Sequence, residues 1–503
     1  MKKLLLLFLL LSLITRSFAQ NQHVNPENDL ADQLKERVKF LTSQQLRGRS
    51  PLTGHDKLAS LYIDSLFKSF SLKPYSSSYF QDFSILSRTP EERIINFNGQ
   101  SFSYSHDFVC MGPDPENSKD YHIVFGGFGN SDEIDSLDLQ GKALFILTNN
   151  LRVGGMKVHE IASTKGCAMV IIANYSVNNQ FELVSRQIGK EHNSTRFNLT
   201  QATHMGVSRF FAHLGNPVPQ IIISDRMASK LLGENPSLIA KKLEENKQYK
   251  PYVPNLKLGV NFKYQTDTIN TSNVIGFIPA QKPTQQCVIV SAHFDHLVAE
   301  NGNWFPGADD NASGTAVLLE LAGKFAGQYC NGNKPMRNIV FAAFTAEEIG
   351  LLGSSHYSKN PIFNIDSTII VINLDMLGRE SKKSPEERLL FISGENKKNE
   401  FVSIVNKFND SGELKVDPRG LDDVSLFSTS DHFHFEAKGI PAFLINTGIH
   451  NDYHQPTDTY EKLRYDNMVS IFELVYKTID HFANQPNPWD LSTVKDEELQ
   501  LSN

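Results

Sequence analysis

The chain has 503 residues, of which 40% are hydrophobic and 21% charged, and its formal net charge is −7. That length exceeds one ordinary domain, and the mixture is that of a folded globular protein. An acidic balance excludes the basic footprint of a nucleic-acid or anionic-membrane binder.

At the N-terminus, Lys2 and Lys3 precede the apolar run Leu4–Ile14, and Ser17–Phe18–Ala19 ends on a small residue. This pattern predicts a secretory signal over residues 1–19, leaving Gln20 as the first mature residue. The run is too short to cross a bilayer, and no cysteine follows it to carry a lipid anchor. A secreted or periplasmic chain with no membrane anchor is expected. Between residues 29 and 72, Leu30, Leu34, Val38 and Leu41 recur at helical spacing, "LRGRSPLTG" (46–54) breaks the pattern, and Leu58, Tyr62 and Leu66 restart it.

From about residue 104 the texture becomes that of short strands. "IVFGGFG" (123–129), "KALFIL" (142–147), "AMVIIAN" (168–174) and "VPQIIIS" (218–224) are separated by glycines and polar loops. The charged, proline-marked stretch "KKLEENKQYKPYVP" (241–254) closes this module. Its histidines His122, His159 and His192 have no ligand spacing and read as surface residues. The four cysteines, Cys110, Cys167, Cys287 and Cys330, form no metal knuckle, and the sequence does not pair them.

Beyond Val274, apolar strands "CVIVS" (287–291), "NIVFAAF" (338–344), "STIIVIN" (367–373) and "PAFLIN" (441–446) alternate with helical stretches such as 315–327. This predicts an α/β layer fold with a mainly parallel sheet. In such sheets ligands bind outside the carboxyl ends of the strands. The residues found there are His293, Asp295 and His296, then Glu347–Glu348, then Asp375, then Asp452, Tyr453 and His454, with the loop "PGADDNASG" (306–314) between the first two strands. Each piece alone has a structural explanation, such as helix capping by Asp309, Asp310 or Ser313. Together they gather acids and imidazoles into one crevice. There the carboxylates would raise one another's pKa unless divalent cations compensated them.

The order His-x-Asp, Gly-Ala-Asp-Asp-x-x-Ser-Gly, Glu-Glu, Leu-Asp-Met, Tyr-His resembles the co-catalytic di-zinc aminopeptidase and glutamate carboxypeptidase family over roughly residues 256–485. The resemblance implies a three-layer zinc-exopeptidase α/β fold with a mainly parallel central sheet and an inserted β-rich protease-associated domain. The implied layout is residues 20–103 and 254–487 as catalytic domain, 104–253 as the insert, and 488–503 as a polar tail. It implies two Zn2+ per chain: His293 and Asp375 on one, Glu348 and His454 on the other, and Asp310 bridging. Asp310 rather than Asp309 is assigned because the family's bridging acid lies four residues before the closing glycine, here Gly314. Glu347 would be the general base, Asp295 would hold the His293 imidazole, and Tyr453 would help polarise the scissile carbonyl.

The implied activity is removal of N-terminal residues from peptides, with no nucleic-acid partner. Alternatives are a carboxypeptidase of the same family, for which Arg379 and Arg419 are candidate carboxylate binders, a glutaminyl cyclase with a single zinc, and a non-enzymatic receptor relative. The segment "SDHFHFEAKGIP" (430–441) resembles the family's Ser-Asp-His stretch, and His432 and His434 are taken as shaping the site rather than binding metal.

Overall fold

A computed structural model describes residues 26–176, 180–192, 194–200, 218–246, 257–299, 303–330, 332, 334–382, 385, 387–409, 412–418 and 430–491. The expected signal, Arg419, most of the 241–254 connector and the last residues of the tail lie outside them. No helix of the described residues is long and apolar enough to cross a membrane. The chain divides into two compact units. The first takes the described residues up to Tyr79, Val274–Phe344 and those from Ile362 onward, and the second takes Phe80–Asn273 with Thr345–Pro361.

In the first unit, helices α1 (Pro26–Leu41) and α2 (Asp56–Ser69) flank the 46–54 break, as the apolar spacing predicts. The sheet strands are β1 (Lys257–Ile278, of which the last five residues belong here), β2 (Cys287–His293), β3 (Asn338–Phe344), β4 (Thr368–Leu374), β5 (Leu389–Ser393), β6 (Lys415–Asp417) and β7 (Ala442–Asn446). Their order is β6-β5-β7-β4-β2-β3-β1. The central β7, β4, β2 and β3 are mutually parallel, while β5 runs antiparallel to β7 and β1 antiparallel to β3. All residues of β2, β3 and β7 are buried, which is why these strands read as continuous apolar runs rather than alternating ones.

Helix α3 (Gly314–Tyr329) packs on β2, β3 and β4, and α1, α2 and α5 (Tyr465–Asn484) pack against it, while α4 (Lys398–Phe408) lies on α5. Parallel strands deliver their carboxyl ends to one edge. His293 ends β2, Phe344 is its register partner on β3, and Leu374 and Asn446 end the other two.

In the second unit, Lys119–Phe125, Ala143–Thr148, Met169–Asn174 and Gln220–Ile223 form a parallel sheet in that order, with Phe108–Met111 antiparallel at the edge. Alternate residues face two cores. Ala143, Phe145 and Leu147 pack with Met227, Leu231 and Ile239, while Leu144 and Ile146 pack with Val158 and Ala162. Helices therefore cover both faces, and the unit carries more helix than the β-rich reading expected. The amphipathic helices are quieter in sequence than the apolar strands they cover.

His159 is also corrected: it is 4% exposed on the helix Leu151–Thr164, beside the buried Val158. His122 is exposed, and the side chain of His192 lies outside the described residues. Cys110, Cys167 and Cys287 are buried free thiols, and Cys330 is exposed.

The second unit holds Thr345, the first residue after β3, through one buried amide. Asn273 donates from Nδ2 to Gln81 Oε1 and the Gly353 carbonyl, both at 3.0 Å, and its Oδ1 accepts from the Thr345 N–H at 3.2 Å. Asn273→Ala strands the Thr345 N–H and the buried Gln81 Oε1 away from water. At roughly 1–3 kcal/mol for each such group, it should lower the unfolding free energy by about 2–6 kcal/mol. Urea unfolding measures this, and an unchanged midpoint would refute the assignment.

Candidate metal centre

The centre is built from loops that leave the strand ends. Phe294 still donates its N–H to the Phe344 carbonyl, so the chain stays extended one residue beyond β2. The His293 carbonyl accepts from Thr315 Oγ1 at 2.8 Å, which ties the strand end to α3. The buried His293 ring has Nδ1 3.2 Å from the main-chain carbonyl of Asp295 and 3.8 Å from its carboxylate. The nearer Asp295 atom is thus the carbonyl and not the carboxylate. An Nδ1–H donated there leaves the Nε2 lone pair facing outward. Nε2 lies 3.3 Å from Asp375 Oδ1 and 3.4 Å from Asp310 Oδ1.

Asp310 points its two oxygens at different imidazoles. Oδ1 faces His293, while Oδ2 lies 3.0 Å from His454 Nε2 and 3.9 Å from His296 Nδ1. Asp309 turns the other way. Its Oδ1 accepts the Gly378 N–H at 2.6 Å and its Oδ2 lies 3.2 Å from His450 Nε2. Asp458 accepts from the backbone N–H groups of both aspartates, at 3.0 Å and 3.3 Å. Ser313 does not cap α3 with its side chain. Its Oγ donates to the Asp309 carbonyl and accepts from the Leu377 N–H. Asn311 likewise donates to the Leu374 carbonyl and accepts from Met376 N–H. The loop "GADDNASG" is thus bonded to the loop that follows β4.

Asp375, one residue past β4, has Oδ2 taken by Ser430 Oγ at 2.7 Å. Ser430 Oγ accepts from Asn373 Nδ2 at 2.8 Å, and Asn373 Oδ1 accepts from Ser291 Oγ at 2.7 Å. Asp375 Oδ1 is left to face His293. Asp431 and His432 are fully buried beside Ser430, and His434 is half-buried in the next turn. His454 adopts φ +55°, and the Tyr453 ring stacks on it at 3.9 Å and 22°. Glu347 and Glu348 follow β3 within four residues of Phe344, Glu347 buried and Glu348 half-buried. They belong to a segment grouped with the second unit.

Sequence reasoning passed over His450 and Asp458 and did not weigh His296, which is buried. The His293-x-Asp295-His296 spacing was the available signal for His296. Arg379 donates to Asp452 Oδ2 at 3.0 Å. Although burial opposes it, hydrogen bonds from Lys462, Thr457 and Arg379 hold the Asp452 carboxyl well below the usual carboxylate range.

His293, Asp310 and Asp375 each offer a ligand atom, all within 4.8 Å of one another. Imidazole nitrogen and carboxylate oxygen in this density are a donor set that zinc accepts. A mainly parallel α/β sheet with such a set beyond its carboxyl ends defines a metal-site α/β protein.

The model of peptidase family M28 matches residues 273–479. The chain is 30% identical over 224 residues to aminopeptidase YwaD of Bacillus subtilis, covering 42% of this chain and 45% of that protein. It is 34% identical over 129 residues to the glutamate carboxypeptidase 2 homolog of Caenorhabditis elegans, covering 25% and 16%. The chain thus spans less than half the length of these curated relatives. Among solved structures, the aminopeptidase from Aneurinibacillus sp. strain AM-1 aligns with a TM-score of 0.49 and 21% identity over 90% of this chain and 94% of that one.

Burial, and then the neighbouring Asp309 charge, push the Asp458 carboxyl up to about 6. A folded pKa above the unfolded one means that the folded state holds more protons between about pH 4 and 6. Stability is then highest below that window and falls as pH rises through it. In chelator-treated protein the unfolding free energy should drop by up to about 3 kcal/mol across the window, and Asp458→Asn should flatten the drop. Parallel pH profiles for the two proteins would refute this.

Proposed function

We propose that the chain is a zinc-dependent aminopeptidase that hydrolyses the N-terminal peptide bond of its substrates. The observation that carries the reading is Asp310, a buried carboxylate whose two oxygens face His293 on one side and His454 on the other. A bridging ligand needs that arrangement. In this reading His293 and Asp375 would hold one zinc, Glu348 and His454 the other, and Asp310 would serve both. Zinc held there would supply Lewis acidity to the attacking water and to the scissile carbonyl. Glu347 takes that water's proton on its carboxylate and passes it to the leaving amine nitrogen. The Tyr453 hydroxyl donates to the carbonyl oxygen from a ring steadied by its stack on His454. Asp375 and Glu347 offer negative charge to the substrate's free α-amine.

The state of Arg379 supports aminopeptidase over carboxypeptidase action, because its guanidinium is engaged by Asp452 instead of standing open to a substrate carboxylate. The same reading takes residues 1–19 as a removed secretory signal, so that the protein acts outside the cytoplasm. It takes 104–253 as the inserted protease-associated domain, dispensable for the chemistry.

The mature protein should bind two zinc ions, and no more than one tightly held metal after reconstitution would favour single-zinc cyclase chemistry. It should cleave reporters with a free α-amine and spare their N-acetylated forms, whereas preference for carboxy-terminal reporters would overturn the reading. Glu347→Gln should keep both metals and lose roughly 10²- to 10⁴-fold in turnover, and Glu348→Gln should lose metal. Metal analysis beside turnover separates the pair, and the reverse pattern would exchange their roles.

A further inference from the structure

The break "LRGRSPLTG" that separates α1 from α2 has no role in the chemistry above, yet it holds a fully buried cation. Arg49 is 0% exposed. A guanidinium stays charged in proteins and presents its N–H groups as a rigid planar fork. Arg49 Nε donates to the Phe294 carbonyl at 2.5 Å, Nη1 to the Leu41 and Pro306 carbonyls at 2.8 Å each, and Nη2 to the Gly307 carbonyl at 3.0 Å.

These acceptors lie on three separate pieces of chain. Leu41 ends α1. Phe294 sits between His293 and Asp295. Pro306 and Gly307 lead directly into Asp309 and Asp310. The backbone is shaped for the insertion. Gly48 has φ +80°, and a Cβ there would stand 2.2 Å from the Leu297 carbonyl oxygen and 3.2 Å from that of Phe305. Gly307, with φ +59°, would drive a Cβ to 2.5 Å from the His296 ring.

Taking a guanidinium out of water is costly. An apolar side chain of similar volume would fill the space without that cost. The planar fork adds a fixed separation between the segment that carries His293 and the one that carries Asp310. We propose that Arg49 is a positioning residue for the metal centre, clamping these two loops at the spacing that lets His293 and Asp310 converge on one ion. The proposal rests on the metallopeptidase reading.

The test compares Arg49→Lys, which keeps charge but has no fork, and Arg49→Met, which keeps only the apolar stem, with the unaltered mature protein. Chelator competition should show zinc held roughly 10- to 100-fold more weakly in both variants, the usual consequence of losing a group that orients ligands. Circular dichroism should show both still folded. The cobalt-substituted Lys variant should show an altered visible d–d spectrum, which a change in stability alone would not produce.

Zinc affinity and a cobalt spectrum equal to those of the unaltered protein in both variants would overturn the clamp while leaving the metallopeptidase reading intact. Failure of both variants to fold would also overturn it, since Arg49 would then serve folding rather than ligand spacing. If the unaltered protein takes up neither zinc nor cobalt, the reading itself falls and the clamp with it.

Discussion

The backbone N–H groups of Asp309 and Asp310 both point at the buried Asp458 carboxylate, and the rest of the centre is arranged around that anchor. With the main chain fixed there, successive side chains must leave in different directions. Asp310 leaves toward His293 and His454, and Asp309 leaves toward Gly378 and His450. One carboxylate becomes available to ligands, and the other fastens the loops together. Two adjacent acids thus have different work without any difference in chemistry.

The same loops concentrate negative charge where water is largely excluded. Asp295, Asp309, Asp310 and Asp458 are all buried, and a low dielectric makes their mutual repulsion stronger than it would be at the surface. Part of the compensation is visible in backbone amides and in the serine and asparagine hydrogen bonds that consume one oxygen of Asp375. The imidazoles at and after the end of β2, and those in the loop after β7, lie beside the same oxygens. The fold supplies this economy because parallel strands end together, so groups remote in sequence meet without a long excursion of the chain.

Much of the first unit was legible because its strands are covered on both faces. Val288–Val290, Ile339–Phe344 and Ile370–Ile372 read as unbroken apolar runs, and the acids and histidines after them stand out by contrast. Less visible were residues whose importance is purely spatial. Asp458 lies in a polar turn 149 positions beyond Asp309. His450 precedes the Tyr453–His454 pair without any distinguishing spacing. The carbonyl of Asp295, rather than its side chain, is the nearer partner of His293, and a main-chain group leaves no signature in sequence at all. Long strands were also hard to read. Phe80–Phe97 is interrupted by Thr89–Pro90 and then by Glu91–Glu92–Arg93, which break the alternation that marks a strand.

The alternate facing of Ala143–Leu147 carries a consequence for how the second unit can change over generations. Both faces of this strand are apolar, so no contrast between wet and dry sides fixes its pairing. What fixes it is volume: Phe145 and Ala143 fit one core, and Leu144 and Ile146 the other. Deleting or inserting one residue would exchange the two sets without exposing a single charge, leaving both cores badly filled. Exchange among valine, isoleucine and leucine at these positions is mild by comparison. Lineages carrying this unit are therefore free to drift in spelling along these strands while being held to their length.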